Sequence, residues 1–496
     1  MSLRISLLSA FTAALMLVNT GSVLGQSDTL QDDQAFTIEE YFANILQHHP
    51  VVRQARFLND FAQQELLLAR GSFDPKLKSD FNIKEFDDKT YYNTWDSKLE
   101  VPIWFNTDLN VGFEQNRGEF LNEELSNTED GLIYAGVSLP VGRGLFIDER
   151  RAAVRQARLL QDMAEAEQIK EINKVLLKAA KAYWEWYNAY QDYQIINEVE
   201  NLALERYNGV VQQVVNGDKA PFDSLKAFIN YQERDVQREQ AELDYTNAGI
   251  MVSNFLWLTD ASEDQSVPLQ ISENTVPTQD NTLDASLLLE LSTLQALQDS
   301  ARFNHPELVK LDNKIQQLEI EQKLNREFLK PEINLKYNFL TKPTGEGGTI
   351  SNGNGNGNGM EGFFMNDYKF GAEFMFPIFL RKERAKLQKT TIKLEQNYFE
   401  RVNVRRDIEN EINAVYNTLV NLNEIIGMQE NMVEYYGELL AGEITMFENG
   451  ESSIFLINTR ETELLDARLK LLKLQTKYEK AKIELLHAAG IPYLQI

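Results

Sequence analysis

Residues 332–340 read EINLKYNFL and residues 367–376 read DYKFGAEFMF. In the first, Ile333, Leu335, Tyr337 and Phe339 alternate with Glu332, Asn334, Lys336 and Asn338. In the second, Tyr368, Phe370, Ala372, Phe374 and Phe376 alternate with Asp367, Lys369, Gly371 and Glu373. A period of two sends one set of side chains to each face of a strand. At about ten residues each, the stretches can cross a bilayer as tilted β-strands, lipid on one side and water on the other. A half-buried strand of a soluble protein alternates in the same way, so the surrounding sequence must decide.

The pattern occurs four more times in the first half, over 76–85, 95–104, 107–116 and 132–139. The connections run long, short, long, with only Phe105-Asn106 between the middle pair, which fits a barrel with long outer loops and tight inner turns. In the second half the connection spans 345–362 and carries eight alternating Asn and Gly residues, 352–359. Such a run cannot pack and predicts a flexible outer loop. Leu335, Tyr337, Phe339, Phe370 and Phe374 are therefore the predicted membrane-facing residues.

Each strand region is followed by a very long helix. Neither 151–217 nor 384–450 contains a proline, and at about 1.5 Å per residue each spans roughly 100 Å. Ile169, Ile172, Leu176, Ala179, Tyr183, Trp186, Tyr190 and Tyr193 step by threes and fours, as do Ile408, Ile412, Val415, Leu419, Leu422 and Ile426. So narrow a stripe commits each helix to lie against other helices. After Asn216-Gly217 and Asn449-Gly450 the chain turns back into shorter helices, about 222–258 and 455–489. Their shortfall matches the helices that follow His49-Pro50 and His305-Pro306, so two half-length helices stacked end to end would cover one long one. Thr37 and Glu40 predict a capping box ahead of the first.

These landmarks repeat. His49-Pro50 and Pro75 recur 256 residues later as His305-Pro306 and Pro331. Arg151-Ala152 and Asn216-Gly217 recur 233 residues later as Arg384-Ala385 and Asn449-Gly450. The chain reads as two copies of one module. The first spans 37–258, with strands about 75–140 and a long helix about 151–216. The second spans 301–496, with strands about 331–377 and a long helix about 384–449. An equatorial linker over 259–300 joins them.

Residues 1–25 carry one charge, Arg4, then an apolar run and a small-residue end, which predicts a cleavable secretory signal. The net charge of −26 excludes nucleic acid as a partner. With no cysteine there is no disulfide framework, thiolate metal site or lipid-anchored N-terminus. No later stretch is apolar enough for a spanning helix, which leaves strands for any membrane role. His48, His49, His305 and His487 show no ligand spacing, and no nucleophile elbow, P-loop or dinucleotide fingerprint appears. The expectation is no enzyme, no metal and no cofactor. The aromatics Tyr183, Trp184, Trp186, Tyr187, Tyr190 and Tyr193 read as packing between helices.

Tandem modules of short helix, strand pair ending in proline (Ser138-Leu139-Pro140; Met375-Phe376-Pro377), Arg-Ala-led long helix, glycine turn and return helix resemble the TolC-like outer-membrane efflux family, over nearly all of the mature chain. The resemblance implies an α+β membrane protein: a homotrimer whose strands form one transmembrane β-barrel and whose long antiparallel helices form an α-helical barrel in the periplasm. It implies docking of the helix tips to a periplasmic adaptor of an inner-membrane pump, and four strands per chain, twelve per trimer. The alternation read above gives six per chain and eighteen. In the family an aspartate commonly follows the turn glycine by six residues; Gly217 and Asp223 match, whereas Gly450 is followed by Leu456, leaving Glu448 or Glu451 in that copy.

The expected function is a passive exit duct of a tripartite efflux or type I secretion system in the cell outer membrane, in contact with its lipid; cargo is not legible. Four to six strands cannot close a water-filled barrel alone, which independently requires an oligomer. Gly217, Asp218, Asp223, Glu448, Gly450 and Glu451 lie at the far helix ends and form the predicted periplasmic tip and gate. The alternatives are an exported trimeric coiled-coil structural or adhesive protein anchored in the outer membrane, and a periplasmic solute-binding protein or enzyme, which would need a compact core.

Overall fold

The structure, a computed structural model of the chain, describes residues 34–121, 131–259, 266–272, 275–278, 289–341 and 367–491. The predicted signal segment 1–25, the loop 345–362 and much of the linker lie outside the described residues. The first run of elements is β1 (Gln34–Phe36), α1 (Ile38–His48), α2 (Pro50–Arg70), β2 (Lys76–Phe86), β3 (Lys89–Ile103), β4 (Thr107–Arg117), β5 (Leu132–Pro140), α3 (Glu149–Val215) and α4 (Pro221–Ser253). Three short strands follow: β6 (Trp257–Thr259), β7 (Ser266–Pro268) and β8 (Thr275–Pro277). The second run is α5 (Leu291–Asn304), α6 (Pro306–Glu327), β9 (Glu332–Thr341), β10 (Tyr368–Met375), α7 (Arg381–Glu448) and α8 (Ile454–Ala488).

Local chemistry sets the helix ends. Thr37 and Glu40 form the reciprocal capping box of α1. His49 and His305 cap α2 and α6: their Nδ1 atoms accept the backbone N–H of Val51 and Glu307 at 3.2 and 3.3 Å, and the proline after each occupies the first helical position. At 67 and 68 residues, α3 and α7 are each about 100 Å long. Both end in a Schellman turn: Asp218 N–H donates to Gln213 O and Glu451 N–H to Met446 O, each at 2.8 Å, with Gly217 and Gly450 at φ 84° and 78°.

Around α3 the helices pack in two tiers. On the sheet side the order is α2, α3, α6, α7; on the far side it is α4, α3, α8, α7. Each long helix is thus covered by half-length helices stacked end to end. At the junction of the tiers, β1 pairs with β8 and α1 packs on α3. The hydroxyl of fully buried Tyr183 shares its one proton between the carbonyl oxygens of Phe36 and Thr278, at 2.8 and 2.7 Å. The aromatic run of α3 is packing: Trp186 and Tyr193 stack on Tyr245 of α4.

Two expectations change. The connection between the first two strands is not long: Asp87 and Asp88 both take left-handed φ, 55° and 58°, and make a two-residue hairpin turn. β3 therefore begins at Lys89 rather than Trp95. Short polar side chains tolerate that conformation, so a pair of aspartates replaces the usual glycine. Helix α5 also straddles the boundary drawn at 300/301. It precedes the second His-Pro as α1 precedes the first, but its N-cap, Glu290, makes no side-chain capping bond, so no box marks its start.

Candidate functional site

Six strands form one antiparallel sheet in the order β10-β9-β5-β4-β3-β2. Its register assembles the predicted membrane-facing residues: Leu335 lies opposite Ala372, Tyr337 opposite Phe370, Phe339 opposite Tyr368 and Ile333 opposite Phe374. All fall on one face with Leu77, Phe81, Leu99, Leu109 and Val111, and many are well exposed. The other face carries Lys78, Lys98, Lys336 and Lys369 with Asp96, Glu100, Glu114 and Glu373. That face is the concave one, enclosing a hollow of about 430 Å³.

Aromatic clusters mark both ends of the strands. At the far end Tyr91 stacks on Phe120 at 4.7 Å, with Phe86 edge-on. At the helix end Phe73 stacks on Trp104 at 5.4 Å, and Lys330 and Arg381 lie over the rings of Phe146 and Phe379. From Tyr91 in β3 to Trp104, just past its end, 13 extended steps rise about 33 Å when tilted by about 40°, close to a bilayer core of about 30 Å.

The two far turns lie side by side, since Lys219 Nζ sits 4.6 Å from the Phe447 ring. Asp218, Glu448 and Glu451 are exposed there, and Asp223, in the first turn of α4, lies 3.8 Å from Lys226. A clasp about 16 Å back along the helices from these turns was not legible in the sequence. Arg206 of α3 makes a bidentate pair with Glu461 of α8 and bonds Asn458 at 3.0 Å; the bonds to Glu461 raise its already high pKa. Buried Arg234 of α4 donates to Thr462 of α8 at 2.6 Å. Partners more than 200 residues apart leave no local signal.

The protomer has two bare edges. One consists of β2, α2 and α4, the other of β10 and α7. On α4, Phe222, Ile229, Val236, Leu243 and Ile250 recur every seventh residue and are 49–69% exposed. On α7, Met428, Met432, Tyr435, Leu439 and Met446 step by four, three, four and seven and are also exposed. Phe57, Phe61 and Leu68 of α2 and Ile392, Phe399 and Val402 of α7 continue the two stripes toward the sheet.

Among the described residues no cluster of His, Asp or Glu could hold a metal, and no helix is long and apolar enough to cross a membrane. The same fold occurs in solved outer-membrane channels. Solved structures match it: VceC of Vibrio cholerae (TM-score 0.59, 13% identity, 92% of this chain and 96% of that chain), the open state of the MtrE outer membrane channel of Neisseria gonorrhoeae (0.59, 13%, 92% and 89%), and the CmeC outer membrane channel of Campylobacter jejuni (0.57, 13%, 91% and 85%). No curated protein matches the sequence. Residues 297–491 match the family described as outer membrane efflux protein, so the resemblance has support in sequence over that stretch and in fold over nine-tenths of the chain. That family consists of channels, not enzymes.

Proposed function

We propose that the protein is one protomer of a homotrimeric exit duct that carries cargo passively from the periplasm through the outer membrane, within a tripartite efflux or type I secretion system. The observation that carries this reading is the pair of bare edges. Each combines an apolar helix stripe with an unpaired edge strand, and an open sheet edge is not tolerated in lipid. The edges differ from each other, so pairing is head to tail and must close as a ring or grow as a filament. β2 runs away from the helices and β10 toward them, so the two can pair antiparallel between neighbours.

In the ring, the apolar sheet face meets lipid, the charged face lines a watery lumen, and the helices continue the lumen into the periplasm. The acidic turns around Gly217 and Gly450 form the far mouth, where an adaptor of an inner-membrane pump docks. Asp218, Asp223, Glu448 and Glu451 put one sign of charge around a narrow opening, which favours cations. Opening requires α4 and α8 to part from their neighbours, and the Arg206–Glu461 and Arg234–Thr462 bonds oppose it. Native mass measurement of the detergent-solubilised protein tests the assembly: three chains are expected, and a monomer at all concentrations contradicts it.

A further inference from the structure

This inference rests on the trimer proposed above and concerns its bore. β3 and β4 are not an appendage to the sheet. They lie between β2 and β5, and the row Leu77, Leu99, Val111, Ala135, Phe339, Tyr368 crosses all six strands without a break. Their apolar side chains Leu99, Leu109 and Val111 are exposed on the same face as Phe370 and Phe374.

Bonds on the concave face tie the pair to both neighbours. The Tyr134 hydroxyl of β5 reaches across β4 to Asp96 of β3 at 2.7 Å. It passes over Gly112, where a Cβ would lie 2.5 Å from the ring. Lys78 of β2 pairs with Glu100 of β3 at 2.5 Å, and Arg150 of α3 with Asp108 of β4 at 2.7 Å. The hairpin is held as wall.

We propose that all six strands of each protomer line the barrel, so that eighteen close it and its bore admits cargo of polypeptide size. Strands about 4.8 Å apart and tilted by about 40° give a backbone ring of radius about 18 Å for eighteen, against about 12 Å for twelve. Allowing about 5 Å for inward side chains leaves a bore of about 25 Å. Each protomer contributes four helical columns, and twelve columns about 9 Å apart form a ring of radius about 17 Å. Eighteen strands therefore give a ring about as wide as that of the helical columns. Lysines and carboxylates interspersed along the wall set up no barrier of one sign to a chain of mixed charge.

The chain has no cysteine, so Phe370→Cys carries a single spin label per protomer, and dipolar spectroscopy on the trimer reads the ring directly. Backbone positions lie about 31 Å apart for eighteen strands and about 21 Å for twelve. The result expected, after allowance for label length, is the longer distance. The shorter distance in a sample whose mass is that of a trimer overturns the wide bore and leaves the exit duct standing. A sample that is not trimeric overturns both. Should Phe370→Cys fail to assemble, Leu335→Cys on the neighbouring strand reads the same ring.

Discussion

Helices α3 and α7 are nearly equal in length and hold equivalent places in the two halves of the chain, yet they are buried very differently. α3 buries residues along its whole length, from Arg151 through Trp186 to Val210, whereas α7 buries only Thr390, Ile408, Ile412, Leu419, Leu422 and Gln429. The difference is one of position. α3 has helices on both sides; α7 has α6 and α8 on one side and its apolar stripe bare on the other. Within a soluble monomer so long an exposed stripe would be a liability. In the proposed trimer the second long helix is finished by another copy of the chain.

That comparison can be broken at either helix. Val236→Arg with Leu243→Arg on α4 should abolish the trimer while leaving helix content intact, because both sites are exposed in the protomer; mass and circular dichroism read the two outcomes. Trp186→Ala on α3 should do the reverse, costing about 3–5 kcal/mol of protomer stability through the cavity left by a fully buried ring. If the α4 variant unfolds the protomer instead, the stripe is internal packing and not an interface.

The two faces of the sheet offer a second contrast of smaller size. Phe370→Arg should cost about 2–4 kcal/mol if it lies near the bilayer midplane, whereas Asn334→Arg on the concave face should be mild. Equal costs in a folding titration in lipid would mean that the strands do not span.

A third test concerns a charge held within the helical packing. Asp192 of α3 has one carboxylate oxygen bonded to Asn188 at 2.8 Å and the other buried without a partner. Burial raises its pKa from 3.8 to about 6, against the opposing pull of Lys473. A carboxyl whose pKa is raised on folding contributes stability below its unfolded pKa and loses it as pH rises through the folded one. Asp192→Asn should therefore be the more stable at pH 7, by about 1–2 kcal/mol, with the gap shrinking as pH falls from 7 to 4. Thermal melts across that range would show it, and a constant gap would reject the assignment.

Much of this architecture is legible in the residues. Alternation at 332–340 and 367–376 is enforced by one apolar and one polar face, and it appears wherever both faces are committed. The long helices announce themselves through the seam from Ile169 to Tyr193, and the tips through Gly217 and Gly450, which take the left-handed conformation that ends a helix. The turn at Asp87-Asp88 was hidden because aspartate is as common in loops as in tight turns. The bare edges were not read from the sequence: the sevenfold spacing from Phe222 to Ile250 is a strict heptad, but a heptad does not say whether its partner lies in the same chain. The Arg206–Glu461 clasp depends on tertiary placement alone.

Single-channel recording of the purified protein in planar bilayers tests the exit duct most directly. Discrete, cation-selective conductance is expected, narrow at rest and reduced by multivalent cations. Asp218→Asn with Asp223→Asn should lower that selectivity without preventing trimer assembly. A trimer that inserts but never conducts would contradict the duct and favour an anchored structural coiled coil. Conduction with selectivity unchanged in the double variant would return the two aspartates to the role of helix-end residues.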